Sequence, residues 1–513
     1  MANKTFATIY IGSYEVSLKI FELTSKKKIH ELDHVRSRIE LGRDVYQSGI
    51  LGYEKVDELC DTLSAFIRIA QGYRVSHVEV YASAVIRDAS NELFILNQIQ
   101  IRTGLEVKVQ SNSEHRLVTY KSVAGRTAFE KMIQTSAAFV DLGGSGMQIT
   151  VFRNGQMVTT QFIDVGTIRL RAIFGDRGLS LSKYMKEMEE FIYKKIEVFC
   201  SLYLEEGIDY CILLNDYAME LHKTVDKKEQ EETISAEKFI KHIEKLQVKT
   251  LEQITTDLHL SNDKDPLVIP TIMVFKSIVM NLMARRVWVP RMNVNDGIAY
   301  DYCERNHLIK ASHDFEADIL SASRYLSQHF NSYSAHITAL TEMSVKIFDH
   351  MKKIHGLGNR ERLFLQVASI LHDCGKYVSL ANSAQCAYSI IMSSEILGLS
   401  HLEREVVALT VLYNHLALDE YNVLSDRIDQ ESYLIVAKLS AILRMANALD
   451  QSHKQKFSEF RITIKGKEMI ITVEAFEDIA LEQALFESRT EFFERVFSMK
   501  PVLKEKRIFL PKK

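Results

Sequence analysis

The stretch that most limits what this chain can fold into is Ala137–Gln161, AAFVDLGGSGMQITVFRNGQMVTTQ. An apolar run, Ala138-Phe139-Val140, ends on Asp141, and Gly143, Gly144, Ser145 and Gly146 follow. Ile149 and Val151 then alternate up to an Asn154-Gly155 turn and Met157. Period-two alternation broken by such turns predicts strand, glycine turn, strand, hairpin, strand. A weaker copy opens the chain: Ile9-Tyr10-Ile11-Gly12-Ser13, then Val16, Leu18 and Ile20. A unit repeated about 130 residues apart predicts two similar lobes facing each other across a cleft. Glycines let backbone N–H groups approach a phosphate closely, and an acid such as Asp141 can hold a divalent cation beside it. A lone Gly-Gly hairpin would carry no such meaning; the duplication and the terminal Asp141 favour the cleft.

Composition narrows the partners. The 513 residues suffice for several domains, and 46% hydrophobic with 26% charged residues is ordinary for globular cores. Sixty-four basic against 67 acidic residues, net −3, give no bulk electrostatic case for nucleic acid. Cys60, Cys200, Cys211, Cys303, Cys374 and Cys386 are scattered without a CxxC, which predicts reduced thiols in a cytoplasmic protein. The opening MANKTFATIYIG reads as no signal peptide, and no apolar run reads as long enough to span a bilayer, so no membrane is expected.

Four segments follow from the pattern. Residues 1–125 read as the first α/β lobe, with an amphipathic helix over Tyr53–Gly72, a strand over His77–Ala82 and a helix carrying Leu93, Leu96 and Ile99. Residues 126–303 read as the second lobe. In it Gln161–Val165 reads as a strand, Lys223–Lys245 as a solvated helical face, and Met292–Ala299 as a strand delivering a turn to the cleft. Residues 304–455 read as nearly all helical, and 456–513 as a small α/β appendix whose hairpin turns at Gly466, with Ile462 and Ile464 on one face.

Two sets of side chains carry chemistry. Ser111-Asn112-Ser113-Glu114 sits where a helix should begin. Glu114 there is either a first-turn carboxylate favoured by the helix dipole or a carboxylate beside the cleft that orients a water. His336, His372, Asp373 and Asp450 fall at the ends of successive helices. Imidazoles and carboxylates from facing helices can bind one divalent metal, although each could equally be a cap or a salt-bridge partner.

With these residues in view, the chain resembles the exopolyphosphatase/guanosine-pentaphosphate phosphatase (Ppx/GppA) family over essentially its whole length. The resemblance rests on Ile11-Gly12-Ser13, Ser83-Ala84-Val85-Ile86-Arg87, Ser111–Glu114, Val140–Gly144 and Asn295-Asp296-Gly297, and downstream on His372-Asp373 and Arg444–Asp450. It implies a duplicated actin-like (RNase H-like) N-terminal half and an HD-like C-terminal bundle. It further implies that Gly12, Ser13, Ser83, Arg87, Gly143, Gly144, Ser145 and Gly146 bind phosphate, that Asp141 holds Mg2+ and that Glu114 is the catalytic base. The expected activity is release of terminal phosphate from inorganic polyphosphate, with guanosine pentaphosphate as the alternative substrate and a homodimer as the expected assembly. Other readings are a silent polyphosphate or alarmone sensor, or a hydrolase using a second divalent metal on the HD-like residues. Three departures from the family pattern stand out: Tyr10 where an Asp is usual, Gln148 where a Glu is usual, and Cys386 near a place expected to hold a helical His.

Overall fold

The computed structural model describes residues 4–175, 181–225, 233–260, 266–310, 313–475 and 477–507. The chain forms two compact units, Met1–Asp314 and Phe315–Lys513.

The first unit holds two sheets built on one plan. Strands β1 (Lys4–Ile11), β2 (Glu15–Leu23) and β3 (Ile29–Arg38) form an antiparallel meander, and β4 (Val78–Ala82) and β5 (Lys108–Val109) add on in parallel beyond β1. The second sheet repeats this. β6 (Ser136–Leu142), β7 (Met147–Arg153) and β8 (Gln156–Ile163) form the meander, and β9 (Tyr210–Leu214) joins β6 in parallel. The short β10 (Thr233–Ser235) and β11 (Arg286–Trp288) complete that side. Central strands covered on both faces need apolar residues at nearly every position. That is why β1 buries Phe6, Ala7, Ile9 and Ile11, and β6 buries Ala137–Val140. The glycine turn expected after each first strand therefore lies at the same place in both lobes, between first and second strand of the meander.

Several expectations are corrected. Met292–Ala299 is not a strand: Asn293 caps a helix over Val294–Arg305, with Asp296 reaching back to the Asn293 amide. That helix packs on β1, β2 and the helix Asn112–Ala124, all of the first lobe, so a lobe boundary at 303 cuts across that lobe. It is fastened there by polar groups. Asn295 joins Thr8 and Ser17 at 2.9 and 2.7 Å, and Asp296 meets the buried Lys19 at 2.9 Å. Leu41–Ser48 is an additional helix, entered through Glu40 at φ 58° and left through Gly49 at φ 74°, so no ordinary cap announces it. Leu93 is exposed while Ile95 and Ile99 carry the buried face. The strand placed at Gln161–Val165 is β8, which ends at Ile163. Residues 226–232 of the charged Lys223–Lys245 segment lie outside the described residues. Beyond them Ala236–Gln247 buries Phe239, Ile243 and Leu246 beneath its lysines and glutamates.

The second unit is helical, with a sheet of β12 (Phe457–Lys465), β13 (Glu468–Ala475) and β14 (Lys500–Arg507). Met469, Ile471 and Phe493 share one core with Leu371, Val407 and Leu443, so the helical and appendix segments are not separate domains. Ile462 faces that core, whereas Ile464 is exposed. Gln430–Leu449 is long and apolar enough to cross a membrane by length and composition, contrary to the sequence reading. Its apolar side chains are instead mostly buried as the central helix of this unit. All six cysteines are free.

Gly297 lets the helix Val294–Arg305 cross close to Asn112–Ala124: a Cβ there would lie 1.9 Å from the Val118 carbonyl oxygen. Gly297→Ala must push the two helices apart. It is expected to destabilise the protein by about 1–3 kcal/mol, read from urea denaturation, as overpacking does.

Candidate functional site

Both glycine turns line one cleft of about 250 Å³ in the first unit. Each turn closes on itself. The Gly12 amide donates to the Glu15 carbonyl at 3.0 Å, and the Gly143 amide to the Gly146 carbonyl at 2.9 Å. Those two amides are thereby used within the turns, which they shape. The second turn is also held from behind, where the amides of Thr167 and Ile168 donate to the carbonyls of Gly143 and Gly144, both at 3.1 Å. Gly146 is obligatory, since a Cβ would sit 2.1 Å from the Phe162 ring. The turns meet each other: a Cβ on Gly144 would lie 3.5 Å from that of Ser13. Tyr46, from the unforeseen helix Leu41–Ser48, hydrogen-bonds both Ser13 (2.9 Å) and Ser145.

Arg87 lines the cleft from the end of a short helix that Ser83 caps. Its guanidinium donates to the Gln110 carbonyl at 2.8 Å and the Asn112 side chain at 2.9 Å. Arg116 is buried, with its guanidinium over the Phe162 ring at 5.6 Å. A fixed guanidinium needs little reordering to bind a phosphate oxygen.

Glu114 is not part of the cleft lining. Its carboxylate accepts from the Ser111 amide at 2.8 Å while the Glu114 amide donates to Ser111 Oγ, a complete capping box. From that turn the cleft receives Asn112, His115 and Arg116 instead. One residue along a helix rotates the side chain by about 100°, which moves the cleft-facing role from Glu114 to His115. The Ser-x-x-Glu pattern was the signal that could have found this, because it assigns the Glu to the cap.

His115 stacks on Tyr10, with ring centroids 5.6 Å apart, and its Nε2 lies 3.7 Å from Asp141 Oδ2. Burial, with Arg116 and Arg87 adding to it, lowers the His115 pKa to about 4, so the ring is neutral at physiological pH. Burial raises the Asp141 carboxyl to about 7, against the pull of Arg116 and a hydrogen bond from Thr119. Burial and the neighbouring Asp141 push the Tyr10 phenol far above its usual range, so it stays protonated. Gln148 pairs with Asp141 across the β6–β7 ladder, and its buried Oε1 has no partner among the described residues. A partly buried carboxylate facing phosphate-sized space fits one Mg2+, an ion that takes one or two carboxylates and fills its octahedron with water and phosphate oxygens.

In the second unit the sequence-predicted His336, His372, Asp373 and Asp450 do come together, and all four are buried. Asp450 Oδ2 accepts from His336 Nδ1 at 2.7 Å, and Gln455 donates to both carboxylate oxygens at 2.8 and 3.0 Å. Both oxygens of Asp450 are thus engaged, and the carboxylate holds the His336 ring in orientation. His453, which the sequence reading missed, stacks on His336 at 3.8 Å between centroids.

The comparisons agree with this architecture. The chain matches the Ppx/GppA phosphatase family over residues 20–306 and Ppx/GppA phosphatase domain III over residues 321–490. Among solved structures it is similar to the Aquifex aeolicus Ppx/GppA member, at 17% identity and TM-score 0.50, covering 61% of this chain and 100% of that one. It is also similar to an exopolyphosphatase from Cytophaga hutchinsonii, at 16% identity and TM-score 0.52, covering 59% and 98%. At such identities the likeness concerns the fold.

The raised Asp141 has a testable consequence for stability. Between the ordinary carboxylate pKa near ~4 and about 7, the folded state keeps a proton that the unfolded chain has released. Stability from this group is therefore lost as pH rises through that window. In metal-free buffer Asp141→Asn should raise Tm at pH 8 and change it little at pH 5, measured by calorimetry.

Proposed function

The chain belongs to the Ppx/GppA phosphatase family, and from that premise we propose that its cleft binds the terminal phosphate of inorganic polyphosphate and releases it to water. The observation that carries this reading is the convergence of both glycine turns, Arg87, Arg116, His115 and Asp141 on one cleft. The terminal phosphate would lie between the turns, its charge balanced by the two guanidinium groups. Mg2+ held by Asp141 would offset the charge that develops on the phosphoryl oxygens. Neutral His115 has the free lone pair to take a proton from water as its oxygen attacks phosphorus in line. The bond to the bridging oxygen then breaks, and the shortened chain leaves as the anion. Guanosine pentaphosphate presents the same end group and is the alternative substrate.

A second reading has specific support. Tyr10 and Gln148 occupy cleft positions without adding carboxylates, and Glu114 is committed to its cap. A cleft so altered would bind a phosphate chain end without turning it over, as a sensor does.

Phosphate release from long-chain polyphosphate with Mg2+ separates the readings. His115→Ala and Asp141→Asn should each lower kcat by roughly 10²–10⁴-fold, the usual worth of such a group. Glu114→Gln should leave kcat little changed while lowering stability by about 0.5–2 kcal/mol through the lost cap. Loss of turnover in Glu114→Gln with His115→Ala still active would overturn the assignment of the base. Binding of polyphosphate by a wild type that hydrolyses neither substrate would establish the sensor.

A further inference from the structure

We propose that the helical unit holds a binding site for a small zwitterion with an aliphatic body, the chemistry of a free amino acid such as leucine. It lies in the groove between the helices Phe315–His329 and Ser334–His350, and it does not depend on the cleft or on the activity proposed for it.

The groove follows from how three helices pack. Phe315–His329 and Ser334–His350 each rest on Asn359–Leu371 and meet each other far less. A cavity of about 420 Å³ stays open between them. Gln366 and Ile370, about one turn apart on the supporting helix, form its floor. Ile337 and Val345 line one wall, and Ser327 lies on the other.

The polar groups of this cavity are unspent. A hydroxyl inside a helix often bonds the carbonyl four residues back, and Ser323 and Thr341 do so, both at 2.7 Å. Ser327 does not: it is only 2% exposed, and its Oγ has no partner among the described residues. The buried Ser332 Oγ is in the same state. Asn331, at φ 50°, turns the chain so that the Ser332 amide reaches the Ser327 carbonyl at 3.0 Å, which brings both hydroxyls to one end of the cavity. Buried hydroxyls are ordinarily hydrogen-bonded, so two without partners on one cavity call for a polar ligand. The cavity far exceeds the ~30 Å³ share of one water and falls within the roughly 300–1,000 Å³ of small-molecule sites.

Charge narrows the ligand. Arg324 and Glu342 stand on the two helices that flank the groove, both exposed at its rim, and neither forms an ion pair among the described residues. A simple anion would suit Arg324 and be opposed by Glu342, and a simple cation the reverse. A molecule carrying both charges suits both, with its carboxylate toward Arg324 and its ammonium toward Glu342. Its aliphatic part finds Ile337, Val345 and Ile370, while the Gln366 amide and the two serine hydroxyls can each donate or accept.

Calorimetric titration of the full-length protein with L-leucine, leucinamide and N-acetylleucine tests this. The expected result is one leucine per chain. Leucinamide lacks the carboxylate and N-acetylleucine the ammonium, and each should bind at least tenfold more weakly. Arg324→Gln should weaken leucine at least tenfold and remove its advantage over leucinamide. Glu342→Gln should do the same relative to N-acetylleucine. Both side chains are exposed, and far-UV circular dichroism checks that the variants keep the fold. A wild type that binds no leucine, equal binding of the three compounds, or unchanged leucine binding in the two folded variants would overturn the proposal.

Discussion

The contact between the two glycine turns is the constraint on which the cleft depends. Each turn follows the first strand of its own meander, and nothing within one lobe says where the other turn must be. Tyr46 supplies that information by hydrogen-bonding Ser13 and Ser145 together, and Gly144 makes room behind the second turn for Ile168, whose side chain would lie 2.7 Å from a Cβ there. A phosphate site assembled from two lobes is only as well defined as this contact, because in-line attack tolerates little misplacement of the reacting atoms.

A second constraint acts from below. The helix Val294–Arg305 returns to the first lobe, where Asn295 and Asp296 join β1 and β2 through Thr8, Ser17 and Lys19. Gly297 then brings it against Asn112–Ala124, and Lys121 is clamped by Asp301 at 2.8 Å. Asn112–Ala124 is the helix that presents His115 and Arg116, so the position of the proposed base is set by residues nearly 180 positions downstream in the chain. The buried charges are costly to desolvate and are compensated by pairing. Their effect here is to fix one register of one helix against another.

Much of this was legible in the sequence because it rests on periodicity. The duplicated meander, the helix over Tyr53–Gly72 and the hairpin at Gly466 all follow from alternation and turn residues. What was not legible depends on three-dimensional direction. Glu114 and His115 are neighbours in sequence, and only the cap geometry shows that one closes the helix while the other faces the cleft. In the same way, only the folded geometry shows that both oxygens of Asp450 are taken by His336 and Gln455 and that the His453 ring stacks on His336. Asn295-Asp296-Gly297 was recognisable as a motif, yet its role is tertiary packing, which no local pattern encodes. The helix over Leu41–Ser48 begins at a left-handed Glu40, a start that capping rules do not foresee.

The central claim is that the paired turns, together with Asp141, bind a phosphate chain end through Mg2+. Calorimetric titration of the full-length protein with tripolyphosphate in the presence of Mg2+ addresses it directly, whether or not turnover follows. The account predicts one site per chain that requires Mg2+ and is weakened at least tenfold in Asp141→Asn. Binding that is absent, or that is the same in Asp141→Asn and without Mg2+, would contradict it.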